Sequence, residues 1–182
     1  SLMHYDYRRR NPKPPTPNMV LGTALHMRVL EPDRAKVEIL TVPGDAPKKA
    51  TAAQINAKQP TAAAIESMDW WAAWERQAEG KVVLNASQAE IVDGMVEAVT
   101  NHPRFDELFG GGQAEVSLQW TDAEHEMPCK CRFDYLTPDG FGTDLKSCAD
   151  ASPDGFARAS AGFLYHFQAA HYGTGYEALT GD

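Results

Sequence analysis

The chain has 182 residues and a formal net charge of −8, with 17 Lys and Arg against 25 Asp and Glu. Its length suits one domain of moderate size, and its apolar content is enough to form a sizeable core. The acidic balance argues against a protein that binds nucleic acid through a broad basic face. No apolar run approaches the ~20 residues of a membrane span, and no signal-peptide pattern opens the chain.

The three cysteines, Cys129, Cys131 and Cys148, are too few for a four-ligand zinc or iron–sulfur site. Cys129 and Cys131 share one face of a predicted strand, where they are poorly placed to form a disulfide with each other. The cysteine usage therefore indicates reduced thiols in a cytoplasmic protein.

Residues 1–19 form a basic, proline-rich arm in which Arg8, Arg9 and Arg10 follow one another. This composition predicts an extended or partly ordered segment. One interpretation is that the three arginines contact DNA phosphates, and the other is that the arm is a solvated tail. The composition alone leaves both open.

A helix is predicted over Val20–Leu30, because apolar residues recur at helical spacing and Glu31-Pro32 ends the run. His26 lies inside this helix. A lone helical histidine is more often a structural residue than a ligand, so this position alone does not establish a role.

The next part of the chain is loop-rich, with one predicted strand over Lys36–Val42 and helices over 51–58, 61–80 and 85–100. Trp70, Trp71 and Trp74 cluster in the second of these helices. Stacking on nucleic-acid bases is one interpretation of the cluster. Packing in a core or between subunits is the other, and we favour it.

Three alternating runs, Glu115–Trp120, Cys129–Leu136 and Gly140–Lys146, predict a meander of strands separated by turn residues. Residues two apart in a strand share a face. Asp144 and Lys146 therefore point the same way, and a neighbouring strand can bring Asp134 beside them. Two carboxylates and a lysine on one face form a costly arrangement that Mg²⁺ would neutralise, since hard oxygen ligands suit this ion.

A last helix is predicted from Pro153 to about Tyr172, with Ser152 as its cap and with Gly173 and Gly175 ending it. Tyr165, Gln168 and Tyr172 share one face of this helix because they are three and four residues apart. The face is either functional or simply exposed to solvent.

The ordered set of these residues is more specific than any member: Gly22 and His26 on a helix, Glu115 and Asp134 in strands, then Asp144-Leu145-Lys146, Gln168 and Tyr172. This set resembles the PD-(D/E)XK nuclease superfamily in its RecB-like branch. The wording of LGTALHMRVLEP, NHPRFDEL, CRFDYL and DLKSCADASPDGFARASAGFLYHFQAAHY is similar to that of RecE-type exodeoxyribonucleases and their phage relatives. The resemblance covers the chain from about Val20 to Tyr176. Phe133 stands where the family motif has Pro, and the cysteines do not form the four-cysteine cluster of some relatives.

The resemblance implies an α/β fold with a PD-(D/E)XK, restriction-endonuclease-like core, in which helices flank a mixed central sheet. Residues 20–182 would form a single nuclease domain that is truncated at its C-terminal end, because the strand and helix expected after Tyr176 are absent.

The resemblance also implies roles for individual residues. Mg²⁺, with Mn²⁺ as the alternative, would bind His26, Glu115, Asp134, Asp144 and the carbonyl of Leu145, and Asp134 and Asp144 would be catalytic as well. Lys146 would orient and help deprotonate the attacking water, or it would stabilise the charge that builds on the phosphoryl oxygens. Gln168 and Tyr172 would be catalytic too, since they would lie beside the catalytic centre and hold the nucleophile-side phosphate or Lys146. Tyr165 is a weaker candidate for contact with DNA on the same face.

The implied function is a metal-dependent exodeoxyribonuclease that degrades one strand of linear double-stranded DNA, from the 5′ end, for phage-type recombination. Relatives of this kind form rings around the duplex, which implies a ring-shaped homo-oligomer and a single-strand annealing protein as partner. The alternative is a non-catalytic DNA-binding or assembly module with a nuclease-like fold. A third interpretation is an α+β protein in which Asp144 and Lys146 merely form a surface ion pair, a contact worth ~0–1 kcal/mol.

Overall fold

The computed structural model describes residues 6–7 and 9–181. The chain is an α/β protein whose backbone forms two compact units, Ser1–Ala24 with Asp33–Gly94, and Leu25–Pro32 with Met95–Asp182. The helix α1 (Pro17–Leu30) contributes residues to both units. The helices in the described part of the chain are too short or too polar to cross a membrane.

The first unit is built around a parallel pair of short strands. Its elements are α2 (Pro32–Glu38), β1 (Ile39–Thr41), α3 (Ala52–Ile55), α4 (Ala62–Gln77), β2 (Val82–Leu84) and the first part of α5 (Ala86–Thr100). Leu40 lies opposite Val83 in the parallel ladder. Leu84 and Val92 are fully buried in this unit.

The strand predicted over Lys36–Val42 is wrong in its first half, which belongs to α2. Pro32 stands at the start of this helix and Asp33 lies in its first turn. Both residues favour a helix N-terminus, because Pro fixes a helical φ and the carboxylate interacts with the helix dipole. The chain changes to extended structure only at Ile39.

The tryptophan cluster lies in the first unit and is half-buried. Trp70 stacks on Trp74, with ring centroids 5.8 Å apart and planes 9° apart. The Trp71 indole N–H donates to the Pro47 carbonyl at 2.8 Å, and the Lys49 ammonium lies 4.4 Å from the centroid of the Trp71 ring. These contacts hold the segment before α3 against α4, in agreement with packing.

The second unit holds an antiparallel sheet in the order β3 (Gln113–Thr121), β4 (Pro128–Leu136) and β5 (Gly142–Thr143), preceded by α6 (Phe105–Phe109). The third predicted strand, Gly140–Lys146, is much shorter than expected, and Asp144 and Lys146 follow β5 in irregular backbone.

Among the described residues the structure has two separate sheets in place of the expected single mixed sheet. The connection between β1 and β2 contains helices and allows parallel pairing, whereas the short loops between β3, β4 and β5 impose antiparallel pairing. Each sheet therefore has one pairing direction.

Two helices, α7 (Pro153–Phe163) and α8 (Tyr165–Thr180), replace the single helix predicted from Pro153 to Tyr172. The break is at Leu164, whose φ of 57° is left-handed. The glycines expected to end the helix lie inside α8. Gly175 is needed there because a Cβ at this position would come within 2.5 Å of the Trp120 ring.

The core of the second unit lies between the sheet and α8. Trp120, Cys131 and Phe133 are buried on one face of the β3–β4 pair, and Tyr172 and Tyr176 of α8 pack against them. All three cysteines lie within the described residues and are free thiols, as predicted.

Candidate active site

The strands β3 and β4 place two carboxylates opposite each other. Cys131 and Phe133 point into the core, so Asp134 lies on the other face of β4. The ladder pairs Ala114 with Tyr135 and Val116 with Phe133, which puts Glu115 across from Asp134.

The backbone of Glu115 departs from strand geometry at this point. Its φ is 56°, in the left-handed region that residues other than glycine rarely adopt, and the ladder is interrupted there. Such conformations cost of order 1–3 kcal/mol and are concentrated at functional sites.

The helix α1 adds an imidazole to the two carboxylates. Its neighbours Leu25 and Met27 are buried, whereas the His26 side chain remains 26% exposed, with Nδ1 3.6 Å from Asp134 Oδ2. One donor atom from each of His26, Glu115 and Asp134 lies within 4.8 Å of the other two.

This spacing fits a single divalent ion. Mg²⁺ binds its ligands at 2.0–2.1 Å, so ligands on opposite sides of the ion are about 4.2 Å apart. Two carboxylates and one imidazole also form a donor set that divalent metals accept. These three side chains could therefore hold a metal with little rearrangement.

The environment of Asp134 disfavours its negative charge. Burial is the main cause that raises the pKa of the Asp134 carboxyl, and the nearby charge of Asp144 acts in the same direction. His26, the Leu145 N–H and Lys146 oppose the shift without cancelling it. A bound cation would offset this unfavourable charge.

A second group of side chains surrounds Asp144. One carboxylate oxygen accepts a hydrogen bond of 3.0 Å from the Gln168 amide, and the other contacts the Lys146 ammonium. The ammonium also lies 5.4 Å from the centroid of the Tyr165 ring. Asp144 is thus neutralised by its own neighbours and points to Lys146 and Gln168.

The two groups are joined through the backbone. The Leu145 N–H donates to Asp134 Oδ2 at 2.7 Å, so the segment that carries Asp144 and Lys146 is fixed to the first group. Gln168 reaches Asp144 from α8, which itself packs on the sheet.

A cleft of about 470 Å³ opens beside Asp144 and Lys146. Its polar wall includes Gln168, and its aromatic wall includes Phe133, Phe156, Tyr165, Tyr172 and Tyr176. Tyr172 packs edge-on against Phe133, with centroids 5.0 Å apart. The side chains of Asp144 and Lys146 are each 29% exposed, so both remain accessible to solvent.

The structure brings together most of the residues that the sequence singled out: His26, Glu115, Asp134, Asp144, Leu145, Lys146, Tyr165, Gln168 and Tyr172. Arg9 and Arg10 belong to the first unit, where both pair with Asp6. Arg8 lies outside the described residues.

Arg132 and Phe156 were missed by the sequence analysis. The Arg132 guanidinium pairs with Glu115, Nε to Oε2 at 2.8 Å. The period of two along β4 puts Arg132 on the same face as Asp134, and this signal was available in the sequence. Phe156 also lines the cleft. No pattern in the sequence indicates this, because the place of Phe156 beside Tyr165 depends on the break between the two helices at Leu164.

The model of a family described as a PDDEXK-like domain of unknown function (DUF3799) matches residues 4–182. No curated protein matches the chain.

Proposed function

Because this chain belongs to the family of PDDEXK-like domains, we propose that it is a metal-dependent nuclease that hydrolyses phosphodiester bonds of DNA. More narrowly, we propose an exodeoxyribonuclease that degrades one strand of linear duplex DNA from its 5′ end, with Mg²⁺ as cofactor and Mn²⁺ as the alternative. The observation that carries the proposal is that two carboxylates and an imidazole gather, and that the Leu145 N–H joins this group to the Asp144–Lys146 pair in the wall of the cleft.

The metal would be held by His26, Glu115 and Asp134, the residues whose donor atoms already gather. When bound, the ion supplies Lewis-acid charge to the phosphoryl oxygens and lowers the pKa of water. Arg132 fixes the Glu115 carboxylate, and the Leu145 N–H fixes that of Asp134. Such supporting contacts orient ligands before the ion arrives.

Lys146 is the cation that this chain itself contributes. Hydrolysis of a phosphodiester adds negative charge to a centre that is already anionic, so a preorganised donor lowers the barrier. Asp144 holds the Lys146 ammonium in the wall of the cleft. There its N–H groups can donate to a phosphoryl oxygen of a strand that enters. Gln168 is a positioning residue, because it fixes the Asp144 carboxylate.

We further propose that the protein acts in the cytoplasm as a ring-shaped homo-oligomer around duplex DNA and supplies a single-strand annealing protein with 3′ strands. The net charge of −8 is compatible with this, because enclosure of the duplex gives processivity without a broad basic surface.

The test is digestion of a linear duplex labelled at its 5′ or 3′ end, with Mg²⁺, with Mn²⁺ and with EDTA. We expect mononucleotides to be released from the 5′ end with either metal and not with EDTA. Asp144→Ala and Lys146→Ala should each lower the rate of release at least about 100-fold, while circular dichroism shows an intact fold.

Release at the 3′ end would overturn the polarity but keep the nuclease. Folded protein that releases nothing with either metal, yet still binds the duplex, would indicate a non-catalytic DNA-binding module.

A further inference from the structure

An aromatic cluster stands beside Lys146 and has no partner in the proposed chemistry. It consists of Phe156, Phe163 and Tyr165, of which Phe156 is 51% and Phe163 74% exposed. We propose that this aromatic cluster stacks on the unpaired base of the nucleotide whose phosphate lies at Lys146. The inference rests on the proposed nuclease function and names its substrate as a strand end with an unpaired terminal nucleotide.

The break between α7 and α8 builds the cluster. Leu164 takes a left-handed conformation between Phe163, the last residue of α7, and Tyr165, the first residue of α8. The rings of Phe163 and Tyr165 are consequently stacked, with centroids 5.8 Å apart and planes 17° apart. Phe156 lies seven residues before Phe163 on α7, and its ring is 6.3 Å from that of Tyr165.

The position of Lys146 indicates what the cluster binds. Its ammonium lies 5.4 Å from the centroid of the Tyr165 ring, so an aromatic face and a positive charge meet at one place. A nucleotide offers the complementary pair, a base with a π-face and a phosphate. A purely apolar partner would satisfy the rings and leave the charged groups of the cleft without a role.

The size of the cleft and the geometry of DNA further restrict which form of nucleic acid can bind at the aromatic cluster. About 470 Å³ is within the range of about 300–1,000 Å³ for small-molecule sites. Bases inside a duplex are stacked on their neighbours and present only their edges in the grooves. An unpaired or terminal base exposes its whole face and can stack on an aromatic side chain.

The first experiment measures binding without cleavage. Two single-stranded 12-mers with a fluorophore at the 3′ end are titrated with protein in EDTA and followed by fluorescence anisotropy. One carries three normal nucleotides at its 5′ end, and the other carries three abasic units there. We expect the normal strand to bind about tenfold more tightly, because stacking contributes on this scale for each base.

Three variants locate the effect. Phe156→Ala should remove the tenfold preference, and Phe156→Trp should restore it. Phe167→Ala is the matched control, since Phe167 is 65% exposed on the adjacent helix but does not line the cleft. It should keep the preference of the wild type. Circular dichroism and size-exclusion chromatography check that fold and oligomeric state are unchanged.

The second experiment repeats the comparison with Mg²⁺ on duplexes that end in normal or abasic nucleotides. Cleavage of both ends at equal rates, with equal binding in EDTA, would overturn the base-stacking inference and leave the nuclease intact. A base preference that Phe156→Ala removes, in a protein that cleaves nothing, would keep the stacking site and overturn the nuclease.

A protein docking surface gives a different pattern. If Phe156→Ala changes the oligomeric state while wild type and variant bind both strands equally, the cluster is a subunit contact and the inference is wrong.

Discussion

The second unit contains two aspartate–histidine pairs in which the pKa of the aspartate carboxyl departs from its usual value in opposite directions. In the loop between β3 and β4, Asp122 accepts hydrogen bonds from the His125 backbone N–H and ring, at 2.8 and 2.9 Å. These bonds lower the pKa of the Asp122 carboxyl, and the backbone bond is the larger cause. At the candidate site, burial raises the pKa of the Asp134 carboxyl although His26 lies only 3.6 Å away.

The difference shows that surroundings decide what such a pair can do. The Asp122 carboxylate is solvated and satisfied by its own turn, so a metal would gain little there. Asp134 is 16% exposed and shares its surroundings with Glu115 and Asp144. Carboxylates crowded into a low-dielectric site are those that a cation stabilises, and such sites are concentrated where function is.

The largest expected effect is a difference between the two pairs when the carboxylate of each is neutralised. Asp134→Asn should lower the rate of duplex digestion by roughly 1,000-fold or more, because it would remove a ligand of the proposed metal, which stabilises the developing charge. Asp122→Asn should leave the rate within about twofold, as expected for a surface substitution away from the site. Initial rates on end-labelled duplex with Mg²⁺ measure both.

Equal rates for the two variants would mean that burial and crowding of Asp134 have no catalytic consequence. In that case the metal centre is assigned to the wrong residues.

Removing the positive charge of Lys146 should have the next largest effect. Lys146→Met keeps the length of the side chain, and we expect the rate to fall about 100- to 1,000-fold, the range for loss of one preorganised donor. Metal affinity should change far less, because Lys146 contacts Asp144 and is not among the gathered donor atoms. A variant that loses metal binding as strongly as activity would contradict this separation of roles.

Metal binding itself should distinguish the two histidines. An ion at 100 times its dissociation constant stabilises a folded protein by about 2.7 kcal/mol. For a chain of this size that corresponds to a rise in melting temperature of roughly 5–10 °C. Thermal unfolding with Mn²⁺ and with EDTA should show this rise in the wild type and in His125→Ala, and a much smaller rise in His26→Ala.

If His125→Ala loses the stabilisation and His26→Ala keeps it, the ion binds at the exposed loop instead.

Local rules were enough to predict where most site residues lie. The period of two along β4 separates Asp134 from the buried Phe133, and the spacing of Tyr165, Gln168 and Tyr172 puts them on one face of a helix. These patterns depend on near neighbours in the chain, so they remain visible without a structure. The helix over 85–100 was also predictable from neighbouring residues, since Asn85 and Gln88 form a capping box at its start.

The remaining errors have tertiary causes. Nothing in the residues around Leu164 predicts a left-handed conformation, which is rare for any residue with a Cβ. Gly175 was predicted to end the helix. In the structure it lets α8 approach Trp120, a residue more than fifty positions earlier. The contact between the rings of Phe156 and Tyr165 depends on the break at Leu164 and therefore could not be predicted.

The smallest expected effect is a pH dependence of stability that has opposite signs at Asp134 and Asp122. An unfolded Asp has a pKa near 3.9, and burial raises that of folded Asp134. Between these two values the folded state binds more protons than the unfolded state, so the free energy of unfolding falls as pH rises through this window. At neutral pH the wild type carries the whole penalty, whereas Asp134→Asn carries none.

In EDTA, the melting temperature of Asp134→Asn should therefore exceed that of the wild type by a margin that grows from about pH 4 and then levels off. For Asp122, whose pKa is lowered, the sign reverses: Asp122→Asn should lose stability relative to the wild type as pH rises through the window below 3.8. Thermal unfolding of the three proteins across pH 3–8 measures both margins. If Asp134→Asn loses nuclease activity yet has a higher melting temperature without metal, the carboxylate serves to bind the cation and does not stabilise the fold.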